Sequence, residues 1–182
     1  MNARLSFLRL HVPGALRRSI LRDLIAATAR AFERHPPDTK GLTAPELMAH
    51  VIECSRAWAE AAIRTGADLD PLDRRLYAEA SELGRRARQR LHISSEADGL
   101  AAARIIYGTI GIDFRPRRSG EVVVPRCAFA RAYGPDVCRL MSSMDSGLIA
   151  GLTGSDGLRF TERITEGAVA CRALVLHTGG AS

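Results

Sequence analysis

Lysine and aromatic residues are scarce in this chain of 182 residues: Lys40 is the single lysine, and aromatic residues make up 5%. Arginine therefore supplies 25 of the 26 basic residues, a bias that a GC-rich coding sequence produces as readily as a nucleic-acid surface. The net charge is +6, and the arginines occur in short, scattered clusters near acidic residues or helix ends. We interpret these clusters as solvated faces and do not expect nucleic acid as a partner.

Long apolar runs are also missing. None reaches the roughly 20 residues that a membrane-spanning helix needs, and the N-terminus lacks the apolar core and small-residue cleavage site of a signal peptide. With 46% hydrophobic and 25% charged residues, the composition is typical of a globular protein rather than a disordered one. We expect a cytoplasmic protein without a membrane partner, whose four cysteines are free, catalytic or metal-bound rather than disulfide-bonded.

No C-x-x-C pair occurs, and no histidines show the spacing of a zinc motif, which excludes the usual zinc ribbons and bacterial ferredoxins. Cys127, Cys138 and Cys171 are separated by ten and 32 residues. These three could still hold zinc or an iron–sulfur cluster if Asp145, Glu166 or a nearby histidine supplied a fourth ligand. The cofactor is left open on this evidence.

Residues 1–108 predict a helical N-terminal half. Apolar residues recur at helical spacing from Gly14 to Arg34, and Thr43-Ala44-Pro45-Glu46 forms a capping box before a stripe that includes Cys54 and Trp58. Asp70-Pro71 begins a third helix reaching about Arg90, and Ser95 begins a fourth.

Residues 109–178 predict a cysteine-bearing ββαββ module packed with the helical half as one globular unit. Alternation from Ile110 to Phe114 and the run Glu121–Val124 indicate a hairpin. Pro135 begins a helix that Gly151 is expected to end, and two further strands follow around Phe160 and over 169–176. The predicted fold class is α+β with a four-stranded antiparallel sheet backed by helices.

The candidate site is centred on the loop that contains Cys127 (the cysteine loop), between the run Glu121–Val124 and the helix that begins at Pro135. Cys138 is placed in the first turn of its helix, where the helix dipole favours a thiolate, although a small buried hydrophobe is an equal alternative. Cys127 is the second candidate nucleophile. Asp145 is either a base or substrate anchor or an exposed acid, while Arg163 and Arg172 either bind a substrate carboxylate or face solvent.

The stretch from Pro125 to Val175 resembles the L-2-amino-thiazoline-4-carboxylic acid hydrolase-like family. The resemblance lies in VVVPRC followed by an aromatic residue, Cys138 near a helix start, Asp145 six residues before Gly151, and Glu166-Gly167 four residues before Cys171. Similar modules occur in 4-vinyl reductase domains and in iron–sulfur-responsive repressors. Ser142, Phe160 and the sequence after Cys171 depart from the family pattern, so the resemblance implies a similar fold rather than the same substrate.

The resemblance implies a hydrolase acting on a small heterocycle or C–N bond, with Cys138 or Cys127 as nucleophile or with metal-activated water. The alternative is a non-catalytic module that senses a small ligand, zinc or an iron–sulfur cluster. A third hypothesis, DNA-binding regulation, depends on a faint helix-turn-helix likeness around Ile52 and Glu53. We expect a small-molecule substrate or ligand, and a homodimer is one option for the assembly.

Overall fold

The computed structural model describes residues 12–66 and 68–177. Four helices come first: α1 (Gly14–Ala31), α2 (Ala44–Arg64), α3 (Asp70–Arg90) and α4 (Glu96–Thr109). The second part contains β1 (Arg115–Pro116), β2 (Glu121–Val124), α5 (Pro135–Thr153), β3 (Gly157–Glu162) and β4 (Cys171–Leu176), with short 3-10 turns at Phe129–Arg131 and Ile164–Glu166. The α+β prediction is confirmed.

The four strands form one antiparallel sheet in the order β1-β2-β4-β3. The last strand is therefore central, and it carries Cys171 at its first position. The predicted first strand is wrong in its bounds: Ile112 makes only an isolated antiparallel bridge, to Cys127, and β1 is two residues long. This bridge fixes the cysteine loop against the chain that leaves α4.

The capping box of α2 is confirmed, because the Thr43 side chain accepts from the backbone N–H of Glu46 and the Glu46 carboxylate accepts from that of Thr43. The predicted apolar stripe is confirmed at Leu47 and Val51, which are buried, but further along the helix Ser55 and Ala59 are buried, whereas Cys54 and Trp58 are only half-buried. Ser55 can be buried because its hydroxyl satisfies its hydrogen bonds, to the carbonyl of Val51 and to the Tyr133 hydroxyl.

Helices α3 and α5 pack backbone against backbone. A Cβ added at Gly147 would lie 2.1 Å from the carbonyl oxygen of Tyr77, and one at Gly151 would lie 2.1 Å from that of Ser81. The predicted helix end at Gly151 is therefore wrong. Gly151 serves a close helix crossing, and α5 continues to Thr153 before Gly154 closes it in the left-handed conformation, with a φ of 81°.

The helix-turn-helix likeness and the lack of a membrane-spanning segment both concern the helices of the fold. The stretch around Ile52 and Glu53 lies inside one unbroken helix, α2, so the helix-turn-helix likeness has no counterpart in the fold. Within residues 12–66 and 68–177, no helix combines the length and apolar character that crossing a membrane requires.

Candidate functional site

A buried cavity with two adjoining chambers lies between α5, the sheet and the first two helices. The larger chamber, of about 90 Å³, extends toward α1 and α2, and the smaller, of about 50 Å³, extends toward the inner face of the sheet. The residues that line both chambers are Ile112, Cys127, Cys138, Asp145 and Cys171. Three cysteines distant in sequence therefore meet at one cavity, together with one carboxylate.

These side chains come from a loop, a strand and one helix. Cys127 lies in the loop after β2, which is bridged to Ile112. Cys171 is the first residue of β4, and the Cys171 sulfur accepts a hydrogen bond from the backbone N–H of Ile164 at 3.3 Å. Cys138 and Asp145 are seven residues apart on α5, which places them two turns apart on the same face. The helix thus supplies two chemically different groups to one cavity.

Asp145 is the most perturbed carboxylate of the site. Protein atoms surround its carboxyl group, and its residual accessible surface faces the two chambers. Burial raises its pKa to about 6, while the hydrogen bond from Tyr107 and the charge of Arg163 oppose the rise. Tyr107 Oη donates to Asp145 Oδ1 at 2.9 Å, and burial also raises the pKa of Tyr107 well above its ordinary value.

All three cavity thiols are protonated at neutral pH. Burial raises the pKa of Cys127 to about 12, and burial likewise raises the pKa values of Cys138 and Cys171. Of the two alternatives for Cys138, the raised pKa favours a small buried residue over a thiolate, because desolvation disfavours the charged form. The Thr165 hydroxyl and the Arg163 charge lower the pKa of Cys138 in part.

The two candidate arginines have separate environments. The Arg163 side chain is 17% exposed and lines the smaller chamber, where its Nε lies 3.4 Å from Ser142 Oγ and its guanidinium lies over the Phe160 ring. Arg172 projects from the other face of β4 and pairs with Glu121 at 2.7 Å and with Glu162 at 3.5 Å. The geometry brings Arg163 to the cavity and separates Arg172 from it.

The metal hypothesis receives no support from the geometry. Across the described ranges, 12–66 and 68–177, no three histidine, cysteine, aspartate or glutamate side chains are arranged to hold a metal ion. Glu166, suggested as a fourth ligand, is instead paired with Arg139 at 2.7 Å. The four cysteines at 54, 127, 138 and 171 are free thiols.

Several polar residues of the site were missed in the sequence. Tyr107 lies in an apolar helical run, and Tyr133 bonds the Ser55 hydroxyl in the wall of the larger chamber. The buried Thr165 Oγ1 lines the same chamber and acts on the Cys138 thiol, but it makes no hydrogen bond of regular geometry among the described residues. A polar residue within an apolar run of the sequence could have indicated these site residues, because a buried hydroxyl group normally needs a hydrogen-bond partner.

Comparison with known proteins adds no assignment. No family model matches this chain, and neither a curated protein nor a solved structure matches it significantly.

Proposed function

We propose that this protein is a hydrolase that cleaves a C–N bond of a small substrate bound in the two-chambered cavity. The observation that carries the proposal is that Asp145, with a pKa of about 6, shares one buried cavity with Cys138 and Arg163. A perturbed acid beside a thiol and a guanidinium is an arrangement typical of catalytic sites.

The raised thiol pKa values require a base, and Asp145 can supply one. At pH 7 most Asp145 carboxyl groups are ionised, whereas Cys138 is protonated. When substrate binds, Cys138 transfers its proton to Asp145 through bound water, because the two residues are two helical turns, about 10 Å, apart along the helix axis, and its sulfur forms a bond to the electrophilic carbon. Asp145 then protonates the leaving nitrogen as the C–N bond breaks, and water hydrolyses the resulting thioester, or the thioimidate when the substrate is an amidine.

Cys138 is a better nucleophile candidate than Cys127. The pKa of Cys127 reaches about 12, and the charge of Asp145 adds to the effect of burial. The Asp145 charge raises the pKa of Cys138 as well, but there the Thr165 hydroxyl and the Arg163 charge oppose the rise, whereas the pKa of Cys127 reaches its value despite backbone hydrogen bonds from Ala130 and Phe129. Arg163 is also the cavity residue suited to a substrate carboxylate, because a guanidinium can form two parallel hydrogen bonds with it.

The test is release of amine from a panel of small amides and amidines that carry a carboxylate. Cys138→Ser and Asp145→Asn should each reduce kcat at least about 100-fold, while Cys54→Ser, which alters a thiol outside the cavity lining, should retain wild-type turnover. Undiminished turnover after alanine substitution at Cys127, Cys138 and Cys171 would exclude the thiol mechanism.

A non-catalytic small-ligand module is the second candidate, and the protonated state of all three cavity thiols favours it. In that function Thr165 Oγ1 and Arg163 are binding groups, and no covalent step occurs. Ligand binding without turnover across the panel would favour this candidate over the hydrolase. Elemental analysis of the purified protein separates its metal-dependent form from its metal-free form.

A further inference from the structure

An apolar cleft opens beside the cysteine cavity, between α1, α3 and α4. It has a volume of about 180 Å³, and its surface is mostly apolar. Its main apolar side chains are Ile20, Leu83, Ala87, Leu91, Ile105 and Ile106. Such a surface favours an apolar occupant, because burying it away from water is favourable.

The cleft and the larger chamber of the cavity share a wall. Leu24 of α1 and Ile110, which follows α4, line both spaces. Only apolar side chains are shared between the two sets of lining residues, so no side-chain hydrogen bond or ion pair of these two residues has to break when they move apart. A chain of bound atoms can therefore pass from the cysteine cavity into the cleft when these two side chains move apart.

The three spaces differ in the groups that they offer a ligand. The smaller chamber contains Arg163 and the shared region contains Cys138 and Asp145, whereas the outer cleft is lined mainly by apolar side chains, with Asp23, Arg86 and Arg90 also in its lining. The volumes increase in the same order, from about 50 to 90 to 180 Å³. An elongated substrate that matches this order has an anionic end, a central reactive bond and an apolar tail.

We infer that the substrate is an amphiphilic amide of the N-acyl amino acid class, a specification that depends on the proposed hydrolase function. Its carboxylate binds Arg163, its amide C–N bond lies by Cys138 and Asp145, and its alkyl tail passes between Leu24 and Ile110 into the cleft. One water molecule is consumed: the acyl carbon gains a hydroxyl group, the nitrogen gains a proton, and the products are a fatty acid and an amino acid.

The inference predicts that tail length controls affinity. Each methylene group that enters the apolar cleft should lower Kd about three- to fourfold, as expected for transfer of a buried methylene from water. The probes are N-acetyl, N-hexanoyl and N-decanoyl glycine, with Kd measured by calorimetry and turnover measured separately as glycine release.

A cleft-filling variant and a matched control test the location. Ala87→Phe places a ring in the cleft, whereas Ala78→Phe places the same ring on the exposed face of the same helix, α3. We expect Ala87→Phe to remove most of the dependence of Kd on tail length without changing the Kd of N-acetyl glycine, and Ala78→Phe to behave as wild type. Ala87→Leu replaces Ala87→Phe if circular dichroism shows that the larger variant is unfolded.

The outcomes separate this inference from the proposed function. A Kd independent of tail length, or an Ala87 variant with wild-type dependence on tail length, overturns the tail subsite even if glycine is released. Tail-dependent binding that the Ala87 variant abolishes, without glycine release from any probe, supports the subsite and overturns the hydrolase.

Discussion

Tyr107 Oη donates a hydrogen bond to Asp145 Oδ1 at 2.9 Å, joining the end of α4 to the middle of α5 inside the cavity. Because this bond stabilises the ionised carboxylate, it lowers the pKa of Asp145 from the value that burial alone would give. Tyr107→Phe should therefore raise the pKa of Asp145 above about 6, measured by carbon NMR titration of the aspartate carboxyl groups. Tyr77→Phe removes a tyrosine hydroxyl that donates elsewhere, to the Asp156 carbonyl, and should leave the pKa unchanged. An unchanged pKa in Tyr107→Phe would contradict the assigned role of the bond.

The stability of the protein should depend on pH through Asp145. Its folded-state pKa, about 6, lies above its ordinary value of 3.8, so the folded state binds more protons than the unfolded state between these values. The contribution of Asp145 to the free energy of unfolding should therefore fall as pH rises from about 4 to about 6, by at most about 3 kcal/mol. Urea denaturation of wild type and Asp145→Asn across this range isolates the contribution as their difference. A difference that stays constant with pH would contradict the raised pKa.

Thiol reactivity should report the protonated state of the cysteines. Because burial raises the pKa of Cys138 above its ordinary value of 9.0, its alkylation by iodoacetamide should continue to accelerate from pH 7 to pH 9, in proportion to the thiolate fraction. Cys127, with a pKa of about 12, should accelerate about tenfold per pH unit over the same range. Mass spectrometry of digested protein resolves the sites. A plateau at Cys138 below pH 8 would mean that the helix dipole prevails over burial.

The contact between α3 and α5 should tolerate no added side chain. Gly151→Ala places a Cβ 2.1 Å from a backbone oxygen, so α3 and α5 must move apart, and we expect a loss of about 1–3 kcal/mol in the free energy of unfolding. Gly108→Ala is the matched control, since it lies within α4 with nothing within 4 Å of the new Cβ. That change should stabilise the fold by about 0.5–1 kcal/mol. Equal effects of the two substitutions in denaturant unfolding would be inconsistent with the close crossing.

The two arginines give a test of ligand orientation. Arg163→Met should weaken binding of a carboxylate ligand at least tenfold, because Arg163 lines the smaller chamber. Arg172→Met removes the same charge from the outer face of the sheet, where Arg172 pairs with Glu121, and should leave the ligand Kd unchanged. Calorimetry with N-acetyl glycine measures both. A larger effect at Arg172 would place the carboxylate outside the cavity.

Local signals in the sequence were sufficient for much of the fold. The capping box at Thr43 and the proline after Asp70 mark helix starts, because these residues satisfy or avoid the free N–H groups there. Short alternating or apolar runs located the sheet, and strands that alternate with turns around one helix predict a small antiparallel sheet. The convergence of Cys127, Cys138 and Cys171 follows from that topology.

Other features depend on contacts that local patterns do not encode. Gly151 resembles a helix terminator until the approach of α3 is known, and the pairing of Tyr107 with Asp145 joins residues 38 positions apart. The environment of Cys138 was left open between two alternatives, because the position in the helix is local, whereas burial is set by the whole fold. Arg172 and Arg163 appeared equivalent, and only strand direction and the turn after β3 distinguish them.

The lining of the larger chamber includes Leu24 from the first described helix and Cys171 from the last strand. A fragment that lacks α1 or β4 therefore cannot reproduce the lining of this chamber, which is complete only when the helical half and the sheet are assembled. A molecule that occupies it would link the helical half to the sheet and shift the unfolding temperature of the entire chain, which makes thermal denaturation a direct screen for ligands.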